Sequence, residues 1–139
     1  MNRRAWLCVS AIVPCLLDVA VTMHGQPAAY WSGDYFAALE CNPLPRIILW
    51  LGPWPFAVAV LAWLAFIGAA ISFLPWPMAI VVSFIVATLH GLGAGSWMFS
   101  FGWMGAAAAV GVLVFVEQLM SFCWQRAGVL SARRPPTIV

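Results

Sequence analysis

Asp18, His90 and Glu117 are ionisable side chains set inside otherwise apolar stretches of this 139-residue chain. An ionisable group in hydrocarbon costs a few kcal/mol, so each is a candidate functional position by default. At about 1.5 Å of rise per residue, Asp18 falls roughly 8 Å and His90 roughly 11 Å below one boundary of the apolar layer. A carboxylate and an imidazole on one level can share a proton, pass one along, or ligate an ion. Thr22 lies one helical turn beyond Asp18 on the same face, and His24, Glu40 and Asn42 belong to the polar stretch that can fold over this position. The leading reading is a structural tie, with Asp18 and His90 hydrogen-bonded to each other and to Thr22. A proton or ion pathway and a metal centre are the alternatives. No cofactor is expected outright. A divalent ion such as zinc, held by Asp18, His90 and Glu40 and able to activate water, is the one candidate. No compact ligand spacing such as H-E-x-x-H accompanies these residues, and the balance falls against an enzyme.

Glu117 is a separate position, about seven residues from the other end of its apolar run and some 10 Å deep from that side. Ser83 and Ser10 come out at a similar depth. A neutral Glu117 is expected to hydrogen-bond to one of them with Gln118 beside it, and a proton-coupled carboxylate is the alternative. The run His90 to Ser96, with Gly91, Gly93 and Gly95, has the look of a phosphate loop but lacks the strand and the lysine such a loop needs, so its glycines are assigned to packing. The four cysteines form no C-x-x-C pair, and no disulfide framework is expected.

The elements that must position these groups follow from composition. Hydrophobic residues make up 65% of the chain and charged ones 7%, against about 25% charged in a soluble domain. A soluble fold, a disordered tail and a nucleic-acid-binding module are excluded. There is room for about four membrane spans of ~20 residues and little else. The spans are placed at about 5–23, 54–74, 76–97 and 103–124, with a polar outer loop at 24–45 and an interfacial segment at 46–52. The first run is taken as a retained span rather than a cleaved signal, because Asp18 interrupts it. Pro14 lacks the N–H that would bond to the Ser10 carbonyl, so a kink is expected there. Arg3 and Arg4 precede the first span and Arg126, Arg133 and Arg134 follow the last, so both termini are expected in the cytoplasm. The expected fold is all-α, an antiparallel four-helix transmembrane bundle in a single domain, multi-pass in a cell membrane of bacterial inner-membrane type. The nine tryptophans cluster at the two expected boundaries, as indoles do. Trp63 alone falls in mid-span. Besides the bilayer, the partners expected are a membrane protein or a second copy packed through small-residue faces such as Gly91-x-x-x-Gly95 and Gly105 to Gly111, and no nucleic acid. A non-catalytic accessory or scaffold role leads, ahead of a metal-dependent intramembrane enzyme and a proton- or ion-coupled carrier using Asp18 or Glu117.

Asp18-x-x-x-Thr22 near the end of a first span, followed by Glu40-x-Asn42-Pro43 before a second, resembles a group of small uncharacterised bacterial membrane proteins sharing this arrangement. The resemblance covers about a quarter of the chain and lends weight to Asp18, Thr22, Glu40 and Asn42 without bringing a chemistry. Asn42-Pro43 has its own physical reason, since Asn caps a helix and Pro suits its first turn. The size also resembles the small multidrug transporters. In those the embedded carboxylate is at mid-membrane and the long polar first loop has no counterpart, so that identity is not adopted.

Overall fold

The computed structural model describes residues 2–99 and 102–130 and is helical, with no strand among them. Arg133 and Arg134, two of the residues used to orient the chain, lie outside the described residues. Four long helices account for most of the chain: α1 (Arg3–His24), α4 (Pro53–Phe73), α5 (Trp76–Met98) and α6 (Gly102–Ala127). All four are long and apolar enough to cross a membrane. Between α1 and α4 the chain forms α2 (Ala28–Trp31), a single 3-10 turn (Tyr35–Ala37) and α3 (Pro43–Leu49). The helix α3 thus begins three residues before the segment 46–52 expected to be interfacial. The reason is local: the Asn42 side chain accepts the Leu44 N–H at 3.2 Å and caps the helix, with Pro43 in its first turn.

The boundaries elsewhere come from residues that cannot continue a helix. Gly52 adopts φ +107°, a left-handed conformation that side chains resist, and a Cβ there would also meet the Tyr35 ring at 3.1 Å. Pro53 then opens α4. Leu74 is extended, as the residue before a proline tends to be, and α5 starts directly after Pro75. Pro14 leaves α1 one continuous helix from Arg3 to His24. It is buried in that helix, and the neighbouring Ser10 hydroxyl donates to the Leu7 carbonyl at 2.9 Å.

Packing sets α1 and α5 together as the central pair, and α4 and α6 each lean on both while making no substantial contact with each other. The start of α1 meets the end of α4, where the Arg4 guanidinium donates to the carbonyls of Ile71 and Leu74, the latter at 2.9 Å. A cation at a helix C-terminus satisfies carbonyls that have no partner of their own.

Apolar burial is concentrated at the two ends of the bundle. At the end near the termini, Leu7, Ala11, Ile67, Ile71 and Ala127 pack together with Trp6 and Trp124 at the edge. At the loop end, Tyr30, Ala38, Leu49 and Phe56 pack against Val19 and Met23 of α1. The outward side of α4 and the first turn of α6 stay apolar: Trp54, Phe73 and Trp103 are 82%, 87% and 93% exposed. A helix that is apolar all round belongs in a core or a bilayer, and these faces are not in a core.

Candidate functional site

Between the two apolar clusters lies a polar layer built from three helices. Asp18 comes from α1, His90 from α5, and their side chains meet with Asp18 Oδ2 2.8 Å from His90 Nδ1. On the far side of the ring, the Trp63 indole N–H of α4 donates to His90 Nε2 at 3.1 Å. The indole nitrogen can only donate, so Nε2 must be bare. The proton of a neutral imidazole then sits on Nδ1 and is donated to the Asp18 carboxylate. One geometry therefore sets the tautomer and the direction of both bonds. Measured along the helices from the loop end, Asp18 is about 9 Å deep and Trp63 about 15 Å, so the hydrogen-bonded chain steps inward.

A second feature lets the acid approach. A Cβ on Gly93 would stand 2.8 Å from both carboxylate oxygens of Asp18. Only a hydrogen at that position leaves room for Asp18 against α5. The buried Cys15, one turn before Asp18, adds a thiol beside the same imidazole. The pair is not sealed off: the side chains of His90 and Asp18 keep 22% and 20% of their surface accessible.

The other residues singled out from the sequence fall elsewhere. Thr22 is buried, and its backbone carbonyl accepts a hydrogen bond from the Gln26 amide at 2.9 Å. His24 is exposed and lines a shallow cleft with Val21, Gly25 and Trp97. Glu40 uses one oxygen to accept the Asn42 N–H at 2.8 Å, which turns its carboxylate onto its own loop. Among the described residues no group of three or more His, Cys, Asp or Glu side chains is placed to hold a metal ion. The triad Asp18, His90 and Glu40 is therefore not assembled, and both nitrogens of His90 are already engaged. Gln26 was not among the expected residues, yet it secures the loop. Buried at the end of α1, it donates to the Leu39 carbonyl at 3.0 Å and accepts the Leu39 N–H at 2.9 Å. The signal for it in the sequence is an amide side chain two residues past the end of an apolar span.

The second polar position needs correction. Ser10 and Ser83 do meet, 2.7 Å apart and buried, and with the Ser10 proton on the Leu7 carbonyl it is Ser83 that donates to Ser10, the same carbonyl lying 3.1 Å from it. Glu117 does not join them. It is exposed on α6, where it accepts from its neighbour Gln118 at 2.8 Å and from Ser121 at 3.4 Å. The inward line of α6 is Gly105, Ala109, Val116 and Cys123. Glu117 follows Val116 and is turned about 100° away from that line. Its depth agreed with the serines; its direction did not. Comparison of the chain with protein families, with curated proteins and with solved structures returns no match.

Proposed function

We propose that the chain is a small non-catalytic component of a membrane assembly, crossing the bilayer with its four long helices and keeping both termini on the cytoplasmic side. The carrying observation is the polar outward face of α6. Glu117 and Gln118 are exposed there, and Ser121 lies between them and the helix end. Gln118 and Ser121 follow, with Ala107, Gly111, Val114 and Gln125, a repeat of four and three residues, the spacing of a helix-packing seam, and Glu117 flanks it. Polar side chains at membrane depth are costly toward lipid and form hydrogen bonds across a helix interface. A partner helix along this seam satisfies both requirements. The Asp18–His90–Trp63 layer supports the same reading from the inside, since its ring nitrogens are spent on holding α1, α4 and α5 together.

The reading is tested by the mass of the detergent-solubilised particle. The wild-type chain is expected to run as an assembly, either of copies of itself or with a stoichiometric companion. Gln118→Leu and Gly111→Leu are expected to release a single folded chain. A wild-type particle that holds one chain, or an assembly indifferent to both changes, overturns the proposal.

A second reading has its own observation. The partial accessibility of Asp18 and His90 keeps a proton-coupled carrier in view. Flux in reconstituted vesicles that Asp18→Asn abolishes would support it.

A further inference from the structure

A groove of about 440 Å³ opens at the loop end between the segment leading into α3 and the end of α5, lined by Leu39, Glu40, Cys41, Arg46, Ser96 and Trp97. It contains one carboxylate and one guanidinium, and the two do not close on each other. Among the described residues the ion pair within 4.0 Å is Asp18–His90. Each charge is held back by a local contact. Glu40 gives one oxygen to the Asn42 N–H, which leaves the other uncommitted. Arg46 is drawn over the ring of Trp50, 5.9 Å from its centroid, and Trp50 in turn packs on Phe36 at 5.7 Å.

The surroundings place these charges at a particular level. Leu44, Ile47 and Leu51 flank Arg46 and are 72%, 53% and 66% exposed. A short helix with bare apolar side chains and an arginine lies at a bilayer surface, apolar side down and charge at the headgroups. Trp97 on the opposite wall is the residue type that prefers that level.

We propose that this groove binds a phospholipid headgroup that carries both a phosphate and a primary ammonium, with the phosphate on Arg46 and the ammonium on Glu40. The guanidinium fork suits phosphate oxygens, and the free carboxylate oxygen suits an ammonium. A zwitterion bridges two opposite charges that share a groove without pairing. A purely anionic headgroup would leave Glu40 facing like charge. This inference needs the chain to lie in a bilayer and is independent of what covers α6.

The test uses the full-length chain in detergent, with bound ligand counted by native mass spectrometry. The probes are dihexanoyl-phosphatidylethanolamine, dihexanoyl-phosphatidylglycerol and free phosphoethanolamine. The ethanolamine lipid is expected to bind about tenfold more tightly than the glycerol lipid, the effect of one charge-assisted hydrogen bond. Arg46→Gln should lose both lipids. Glu40→Gln should lower the ethanolamine lipid to the level of the glycerol lipid and leave the latter unchanged, while Glu40→Asp keeps the preference and shows that the loop is intact. Equal binding of the two lipids by the wild-type chain, or a preference that survives Glu40→Gln, overturns the proposal. Phosphoethanolamine binding as tightly as its lipid overturns the bilayer as the source of the ligand.

Discussion

Asp18 and Glu117 are both carboxylates set within long apolar helices, and the bundle treats them in opposite ways. Asp18 is met by two other helices: His90 of α5 bonds to it, and Trp63 of α4 completes the ring's second bond. Among the described residues Glu117 finds partners only on its own helix, Gln118 and Ser121. The first arrangement joins elements that are far apart in the chain. The second joins none, and it leaves a polar seam facing away from the bundle. Depth along the helix does not by itself decide what a carboxylate does. The decisive quantity is which neighbour the side chain points toward, and that direction is set by the apolar stripe of the same helix.

The contrast can be broken most sharply at His90. His90→Leu leaves the Asp18 carboxylate against Gly93 without its donor, and loss of a hydrogen bond to a charged group is expected to cost up to about 3 kcal/mol of unfolding free energy. Replacing both residues, Asp18→Leu with His90→Leu, should cost clearly less than the two single changes added together, because neither polar partner is then left stranded. Unfolding of the reconstituted protein by denaturant measures both, and strict additivity would show that the two side chains do not act as a unit. Next in size is Gly93→Ala. The added methyl meets the acid at a position His90 holds fixed, with an expected loss of about 2 kcal/mol. The same substitution in the His90→Leu background should cost less, since the carboxylate is then free to move. Trp63→Phe keeps the ring and removes the N–H, so about 1 kcal/mol is expected from the lost hydrogen bond. Smallest is Glu117→Gln, expected to change the stability of the isolated chain by less than about 0.5 kcal/mol, as for other exposed positions. A large destabilisation there, measured on single chains, would remove the contrast between the two carboxylates.

The number of long helices and their approximate bounds were legible in the sequence because apolar runs broken by Gly52-Pro53 and Pro75 leave few other solutions. The pairing of Asp18 with His90 was legible for a related reason: rise per residue places both at one level. Asn42 was read correctly as a cap because capping depends only on adjacent residues. What the sequence did not reveal has a common cause. In α4 and α5 apolar residues surround the helix, so the pattern carries no record of which side faces inward. Trp63 stood out as a tryptophan away from the boundaries, yet nothing in its spacing pointed at His90. Glu117 shared its depth with Ser10 and Ser83, but Val116 beside it took the inward place. Glu40 was grouped with Asp18 and His90 by proximity in the chain to a loop that could fold over them, whereas the Asn42 N–H claimed its carboxylate locally.

In the polar layer His90 is held as a neutral ring by two opposed hydrogen bonds, donating from Nδ1 to Asp18 and accepting at Nε2 from Trp63. Nitrogen-15 NMR of imidazole-labelled full-length protein in lipid bilayers at neutral pH observes this directly. The expected spectrum has a proton on Nδ1 and none on Nε2, and the Nε2 resonance shifts when Trp63 is changed to Phe. A proton on Nε2, alone or together with one on Nδ1, would contradict the claim, because the Trp63 indole could then not donate to that nitrogen.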